Sequence, residues 1–233
     1  MNFVANAVLA AGASPIVSLY DKEIEELAGK CDSLYINIGC LDDRQQLAMR
    51  LAAALSCRKN IPWVLDPVAV AGSRQRAEFA LELVNDFKPL VIRGNASEIR
   101  ALASLVSGKG SYEDVRCGVD SELDSSSVIE DAGALSRACG CTVAMSGKTD
   151  YVVTPHSCEA LTGGSDLMPL VTAMGCVASA LCATFAATGK SGREAAVKAL
   201  SLMNRAGEKA AGKCGGPGTF PAAFLDELWN ECR

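Results

Sequence analysis

Aromatic residues make up only 5% of the 233-residue chain, and histidine occurs once, as His156. A single histidine excludes the histidine-rich metal centres and leaves any zinc to cysteine. The 11 cysteines are scattered through apolar surroundings, as at Cys31, Cys57 and Cys182, and an odd number cannot pair off completely. That pattern excludes a small secreted disulfide framework. Cys139-Gly-Cys141 lacks the second pair that a zinc ribbon needs. The thiols therefore read as small buried hydrophobes in a reducing cytoplasm. Basic charge is also short: the net charge is −5 and no basic stripe appears, which excludes nucleic acid as a partner. Walker A and GxGxxG sequences are missing, so the standard nucleotide loops are not used. No positive region leads the chain, so no signal peptide is expected, and Asn95-Ala-Ser is discounted as a glycosylation acceptor. Residues 167–189 carry no charge and are long enough for a membrane helix. Pro169 and Gly175 interrupt them, however, and a buried helix starting near Gly175 accounts for them better, leaving no membrane partner.

What is present is a large apolar share, 49%, with 21% charged residues, enough to build one α/β domain over residues 1–233. Short apolar strands alternate with amphipathic helices. Strands are expected at 34–38, 63–65, 90–92 and 142–145, with an extended pair at 151–153 and 160–161. Helices are expected at 43–58, 74–86, 96–105, 128–138, 176–187, 192–211 and 221–231, with a polar segment at 107–127 and a Gly-Pro-Gly turn at 216–218. Strands alternating with helices imply right-handed crossovers and a mostly parallel sheet covered on both faces.

In such a sheet, ligands bind outside the carboxyl ends of the strands. The groups that follow those ends are Gly39-Cys40, Asp66, Arg93 with Asn95 and Glu98, Ser146-Gly147, and residues 172–176. Two acids, an Arg, a hydroxyl and a glycine-bearing helix start suit phosphate handling. Asp66 and Glu98 are candidate Mg²⁺ ligands, directly or through water, and Arg93 is suited to forking onto phosphate oxygens. The helix start near Gly175 offers free N–H groups and a positive dipole end for an anion. Cys176 lies in that field, so its thiol is expected to ionise more easily than a free one. Asn95 and Glu98 also fit a plain capping box, and that reading stands open beside the functional one.

The stretches "ANAVLAAGASP" (5–15), "INIGCL" (36–41), "VLDPVAV" (64–70), "VIRGNASEI" (91–99), "GVDS" (118–121), "SGKTDYV" (146–152), "TAMGC" (172–176), "GGPGTF" (215–220) and "FLDELW" (224–229) resemble the hydroxyethylthiazole kinase family of the ribokinase-like superfamily. The resemblance implies a three-layer α/β/α sandwich and ATP-dependent phosphorylation of the hydroxyl of 4-methyl-5-(2-hydroxyethyl)thiazole in thiamine salvage. It implies Mg²⁺ as cofactor and a cytoplasmic homotrimer with substrate sites at subunit interfaces. Carried over by motif, Arg93, Ser146 and Asn95 fall on ATP contacts, and Asp66 and Glu98 on the magnesium and phosphate region. Val17, Ala173, Gly39 and Cys40 fall on the thiazole pocket. Cys176, with Gly175 before it, falls where related sugar kinases place a catalytic Asp.

Three departures are visible: Val17 stands for the family's usual Met, and Thr-Ala-Met-Gly-Cys for Thr-Gly-Thr-Gly-Cys. Met1 is expected to fall inside the family's first helix, with a first strand normally ahead of it. Two other readings compete, a kinase for another small hydroxylated heterocycle and a ligand-binding member without turnover.

Overall fold

The computed structural model describes residues 1–108 and 125–233. The 118–121 stretch and most of the expected polar segment lie outside the described residues. Six strands form one sheet in the order β1 to β6: β1 Leu34–Asn37, β2 Trp63–Asp66, β3 Val91–Asn95, β4 Thr142–Ser146, β5 Asp150–Val153 and β6 Cys158–Leu161. The first four are parallel, β5 runs antiparallel to β4, and β6 runs antiparallel to β5. The expected mostly parallel sheet is present. Three strands run further at their carboxyl ends than the hydrophobic runs suggested: β2 takes in Asp66, β3 takes in Arg93, Gly94 and Asn95, and β4 takes in Ser146.

The helices are α1 Asn2–Ala10, α2 Ile24–Ala28, α3 Asp43–Lys59, α4 Arg74–Phe87, α5 Ala96–Val106, α6 Ser125–Cys139, α7 Met174–Ala186, α8 Gly192–Ala211 and α9 Phe220–Glu231. Their starts follow from capping side chains. Asp42 accepts from Gln45 N at 2.7 Å, Ser73 caps α4, and Ser191 with Glu194 forms a capping box on α8. α1 stands where the resemblance placed the family's first helix, and α2 was not among the expected helices.

The strand order explains the layering. Each parallel strand is added on the same side of the last, so right-handed crossovers place α3, α4, α5 and α6 on one face. There they pack with Ile36, Leu65, Ile92 and Val143. The alternate residues Val64, Val91, Ala144 and Val152 face the other way, against α1, α7, α8 and α9. The result is the expected three-layer α/β/α sandwich, one layer made of crossovers and the other of both chain ends. Among the described residues no helix is long and apolar enough to cross a membrane; the uncharged stretch becomes α7, buried on the sheet.

The close approach of α8 to the sheet rests on Gly192, where a Cβ would lie 2.8 Å from both Leu90 O and Thr142 Oγ1. Gly192→Val is expected to destabilise the fold by about 2–3 kcal/mol, because backbone rather than a flexible side chain must move. A urea midpoint equal to that of the wild type would show that α8 can shift freely.

Candidate active site at the carboxyl edge of the sheet

Asp66 ends β2 and is 1% exposed. Its Oδ2 accepts from Tyr35 Oη (3.0 Å), Asn37 Nδ2 (3.2 Å) and Ser179 Oγ (2.9 Å). Tyr35 and Asn37 share one face of β1 by the two-residue repeat, and the register sets Asn37 beside Asp66. Ser179 comes from α7. Asn37 Nδ2 also lies 2.6 Å from Tyr35 Oη and 3.3 Å from Cys176 Sγ, so its two hydrogens are shared among three acceptors. Its Oδ1 accepts from Gly39 N at 2.8 Å, which fixes the turn leaving β1.

Burial pushes the Asp66 carboxyl above the ordinary carboxylate range, against the pull of the Arg93 charge. Burial likewise raises Tyr35 well above its usual value. The Cys176 thiol is raised too, by burial first and the charge of Asp66 second. This corrects the expectation of an easily ionised cysteine. The helix start does face it, but desolvation and a neighbouring carboxylate outweigh the dipole. Cys176 is a thiol at neutral pH.

Arg93 lies inside β3 and is only 8% exposed. Its Nη2 donates to Ser146 Oγ at the end of β4, while Nε is buried without a hydrogen-bond partner. The guanidinium runs beneath the first turn of α7, where a Cβ on Gly175 would overlap Nη1. Gly175 therefore has a steric role beside the one inferred for its N–H. Ala173 precedes the helix with φ +69 and gives it no side-chain cap, leaving the first-turn N–H groups to another partner.

The two readings of Asn95 and Glu98 coexist. Asn95 Oδ1 accepts from Glu98 N, and Glu98 Oε2 accepts from Asn95 N, each at 2.9 Å: a capping box. Glu98 Oε1 reaches further and accepts from Ala69 N at 2.9 Å, holding the β2–α4 loop at a residue with φ +58. Its charge also raises the proton affinity of Asp66. Arg76, on α4, donates to Gly39 O at 2.7 Å and to Val68 O at 3.4 Å, tying that loop to the one after β1. Backbone strain at Ala69 and Ala173 thus sits at the edge of the site, where such strain tends to collect.

The sheet edge brings together Asp66, Arg93, Ser146, Gly175 and Cys176, with Glu98 and Gly39 joined through backbone contacts. Cys40 and Val17 are exposed, Val17 at 55%, and neither enters this network. Tyr35, Asn37, Ser179 and Arg76 were missed in the sequence. The readable signal was two polar groups on one face of β1 and a serine three residues beyond Cys176. Among the described residues no three His, Cys, Asp or Glu side chains cluster closely enough to hold a metal by themselves. A cavity of about 520 Å³ lined by Lys213, Thr219, Asp226 and Trp229, formed by α9 and the loop before it, shares no residue with this edge.

The model of the Hydroxyethylthiazole kinase family matches residues 1–231. Hydroxyethylthiazole kinase of Nitratidesulfovibrio vulgaris (strain DP4) is 42% identical over 98% of this chain and 83% of its own. That of Syntrophus aciditrophicus (strain SB) is 39% identical over 99% of this chain and 83% of its own. Among solved structures, the hydroxyethylthiazole kinase protein from Pyrococcus horikoshii OT3 superposes with a TM-score of 0.88 at 31% identity, covering 99% of this chain and 84% of that one. The pyridoxal kinase from Staphylococcus aureus in complex with ADP superposes at 0.66 with 15% identity, over 89% and 82%. At that identity it shows the shared ribokinase-like fold alone.

A carboxyl whose proton affinity is raised by folding costs nothing below its unfolded pKa, near 4. The cost grows as pH climbs from there through the folded value. Asp66→Asn keeps an acceptor for the three donors and removes that cost. The stability of the wild type relative to Asp66→Asn should therefore fall between about pH 4 and neutrality, as read by urea unfolding at several pH values. A difference that grows with pH would mean that Asp66 is a stabilising ion.

Proposed function

The chain belongs to the hydroxyethylthiazole kinase family, and on that premise we propose that it transfers the γ-phosphoryl group of ATP to the hydroxyl of 4-methyl-5-(2-hydroxyethyl)thiazole, the family's step in thiamine salvage. The observation that carries the reading is the buried Arg93, with its unpartnered Nε, under an uncapped helix start and beside the Asp66–Cys176 pair. A cation and free N–H groups suit an anion; a carboxylate and a thiol alongside suit an alcohol.

Phosphoryl transfer passes through a loose transition state, so positioning and charge stabilisation matter more than a strong base. Arg93 and Ser146, with Asn95 at the strand end, hold the nucleotide phosphates in this reading. The N–H groups at Gly175 stabilise charge on the oxygens of the transferring group. Cys176 Sγ, kept a thiol by burial and the charge of Asp66 and positioned by the Asn37 amide, orients the substrate hydroxyl; the hydroxyl proton departs late, onto a phosphoryl oxygen, which spares the site a strong base. Val17, Ala173, Gly39 and Cys40 form the wall against the thiazole ring.

Asp66 and Glu98 offer hard carboxylate oxygens, the donor chemistry that Mg²⁺ prefers, while Asp66 Oδ2 and both Glu98 oxygens already accept protein hydrogen bonds. They fit an ion reached through its waters and shared with phosphate oxygens. When bound, such an ion neutralises phosphate charge. We treat residues 1–233 as one kinase domain and place it in the cytoplasm, where the ten free cysteines among the described residues are kept reduced.

The proposal extends to a homotrimer whose partner subunits complete the thiazole pocket. Exposed Ile16, Val17, Leu19 and Tyr20 support it, since so much apolar side chain on one short segment suits an interface. Light scattering after size exclusion should give three chain masses for the wild type and a lower mass for Val17→Asp. A monomeric wild type would detach Val17 from the substrate site.

Incubation with ATP, Mg²⁺ and a panel of small alcohols should release ADP fastest with the hydroxyethylthiazole. Faster release with another heterocyclic alcohol would reassign the substrate, and none with any alcohol would mark a binding protein. Arg93→Ala should weaken ATP binding by roughly 10- to 100-fold, the worth of a charge-assisted hydrogen bond, and leave the KM of the alcohol nearly unchanged. An unaltered ATP dissociation constant would remove Arg93 from the nucleotide site.

A further inference from the structure

Asp150 opens β5, immediately after the turn that carries Ser146 and Gly147, and is 6% exposed. One oxygen, Oδ1, accepts from Gly147 N at 3.1 Å and closes that turn from below. The other, Oδ2, accepts from Asn204 Nδ2 of α8 at 2.9 Å. Asn204 is itself only 8% exposed and packs against two glycines in the left-handed region, Gly163 with φ +125 and Gly164 with φ +88. A Cβ on Gly163 would come 3.2 Å from Asn204 Cβ, and one on Gly164 would come 3.3 Å from Asn204 Oδ1. These glycines begin the segment that runs on to Ala173 and the start of α7.

A line of contacts therefore runs from exposed Gly147 through the buried pair Asp150 and Asn204 to Gly163 and Gly164 at the surface. It joins the two chain segments that clasp the Arg93 guanidinium, one through Ser146 Oγ and the other through Gly175. The residue types suit a fixed joint. A carboxylate accepts on both oxygens, as the Gly147 N–H and the Asn204 amide require, whereas an amide would turn its own NH₂ toward one of those donors. Burial raises the proton affinity of Asp150 above the ordinary carboxylate range, and the Gly147 N–H, Asn204 and the Arg93 charge offset part of that rise.

We propose that Asp150, locked by Asn204, is a positioning residue for nucleotide phosphate: it sets the separation between the Ser146–Gly147 turn and the start of α7, and with it the place of Arg93. The inference rests on the kinase reading and adds to it a residue pair that touches neither substrate. A joint of this kind governs how well phosphate is held and leaves the alcohol pocket alone.

The test uses the full chain and a non-hydrolysable ATP analogue in titration calorimetry, with steady-state kinetics and thermal melting alongside. Asp150→Asn should weaken the analogue, and raise the KM for ATP, by about tenfold, with the KM of the alcohol unchanged. The exchanged pair, Asp150→Asn with Asn204→Asp, restores one donor facing one acceptor and should recover most of that loss, which a general weakening of the fold would not. Asp150→Asn binding the analogue as tightly as the wild type overturns the proposal. So does an exchanged pair that recovers nothing, or a parallel loss in alcohol KM. A wild-type protein that binds no analogue overturns the kinase reading and this inference with it.

Discussion

Taking a guanidinium out of water costs several kcal/mol unless its surroundings answer its charge and its hydrogen bonds. Arg93 is in that position, set within a central strand with its head under a helix. Ser146 takes one N–H, and the carboxylates of Asp66 and Asp150 lie close enough to feel the charge, for it draws the proton affinity of both downward. Gly175 makes room by having no side chain. The polar edge of the sheet is arranged about this one cation, and the Nε left without a partner is where the arrangement is incomplete.

The strand order makes the arrangement possible. Four parallel strands added in sequence direct Asn37, Asp66, Asn95 and Ser146 to the same edge, each at the end of its strand. The crossovers supply the loops that Arg76 and Glu98 fasten, so those loops are pinned by side chains from the helices that follow them. α7 then lies on the opposite face with its first turn over Arg93 and Ser179 reaching Asp66. Both layers therefore contribute to one edge, the crossovers through backbone loops and the chain ends through a helix start.

The alternation of strands and helices was legible because each apolar run stopped at a polar residue or a glycine, as at Asp66 and Ser146. The sandwich followed from topology rules that need no contacts. What lay beyond reach depended on register and burial. Tyr35 and Asn37 look like ordinary strand residues until β1 is paired with β2, which sets Asn37 against Asp66. Ser179 sits in a helix rich in small residues, where a serine reads as packing. Glu98 was read as cap or ligand, and the third hydrogen bond, to Ala69, is non-local. The thiol of Cys176 was misjudged because the dipole of its helix is a local property, while the carboxylate and the burial that overrule it come from β2 and the fold as a whole.

The layer that holds α7 is built from the two ends of the chain, and this orders events in time. During synthesis the crossover layer and β1 to β4 are complete before Gly175 has been added. Until then Arg93 stays in contact with water, and Asp66 lacks the hydroxyl of Ser179. The edge therefore passes from wet to buried only when α7 and the helices after it dock on the sheet face that α1 also helps cover. A nascent chain has the acids, the arginine and the loops in place well before it has the helix that turns them into a site.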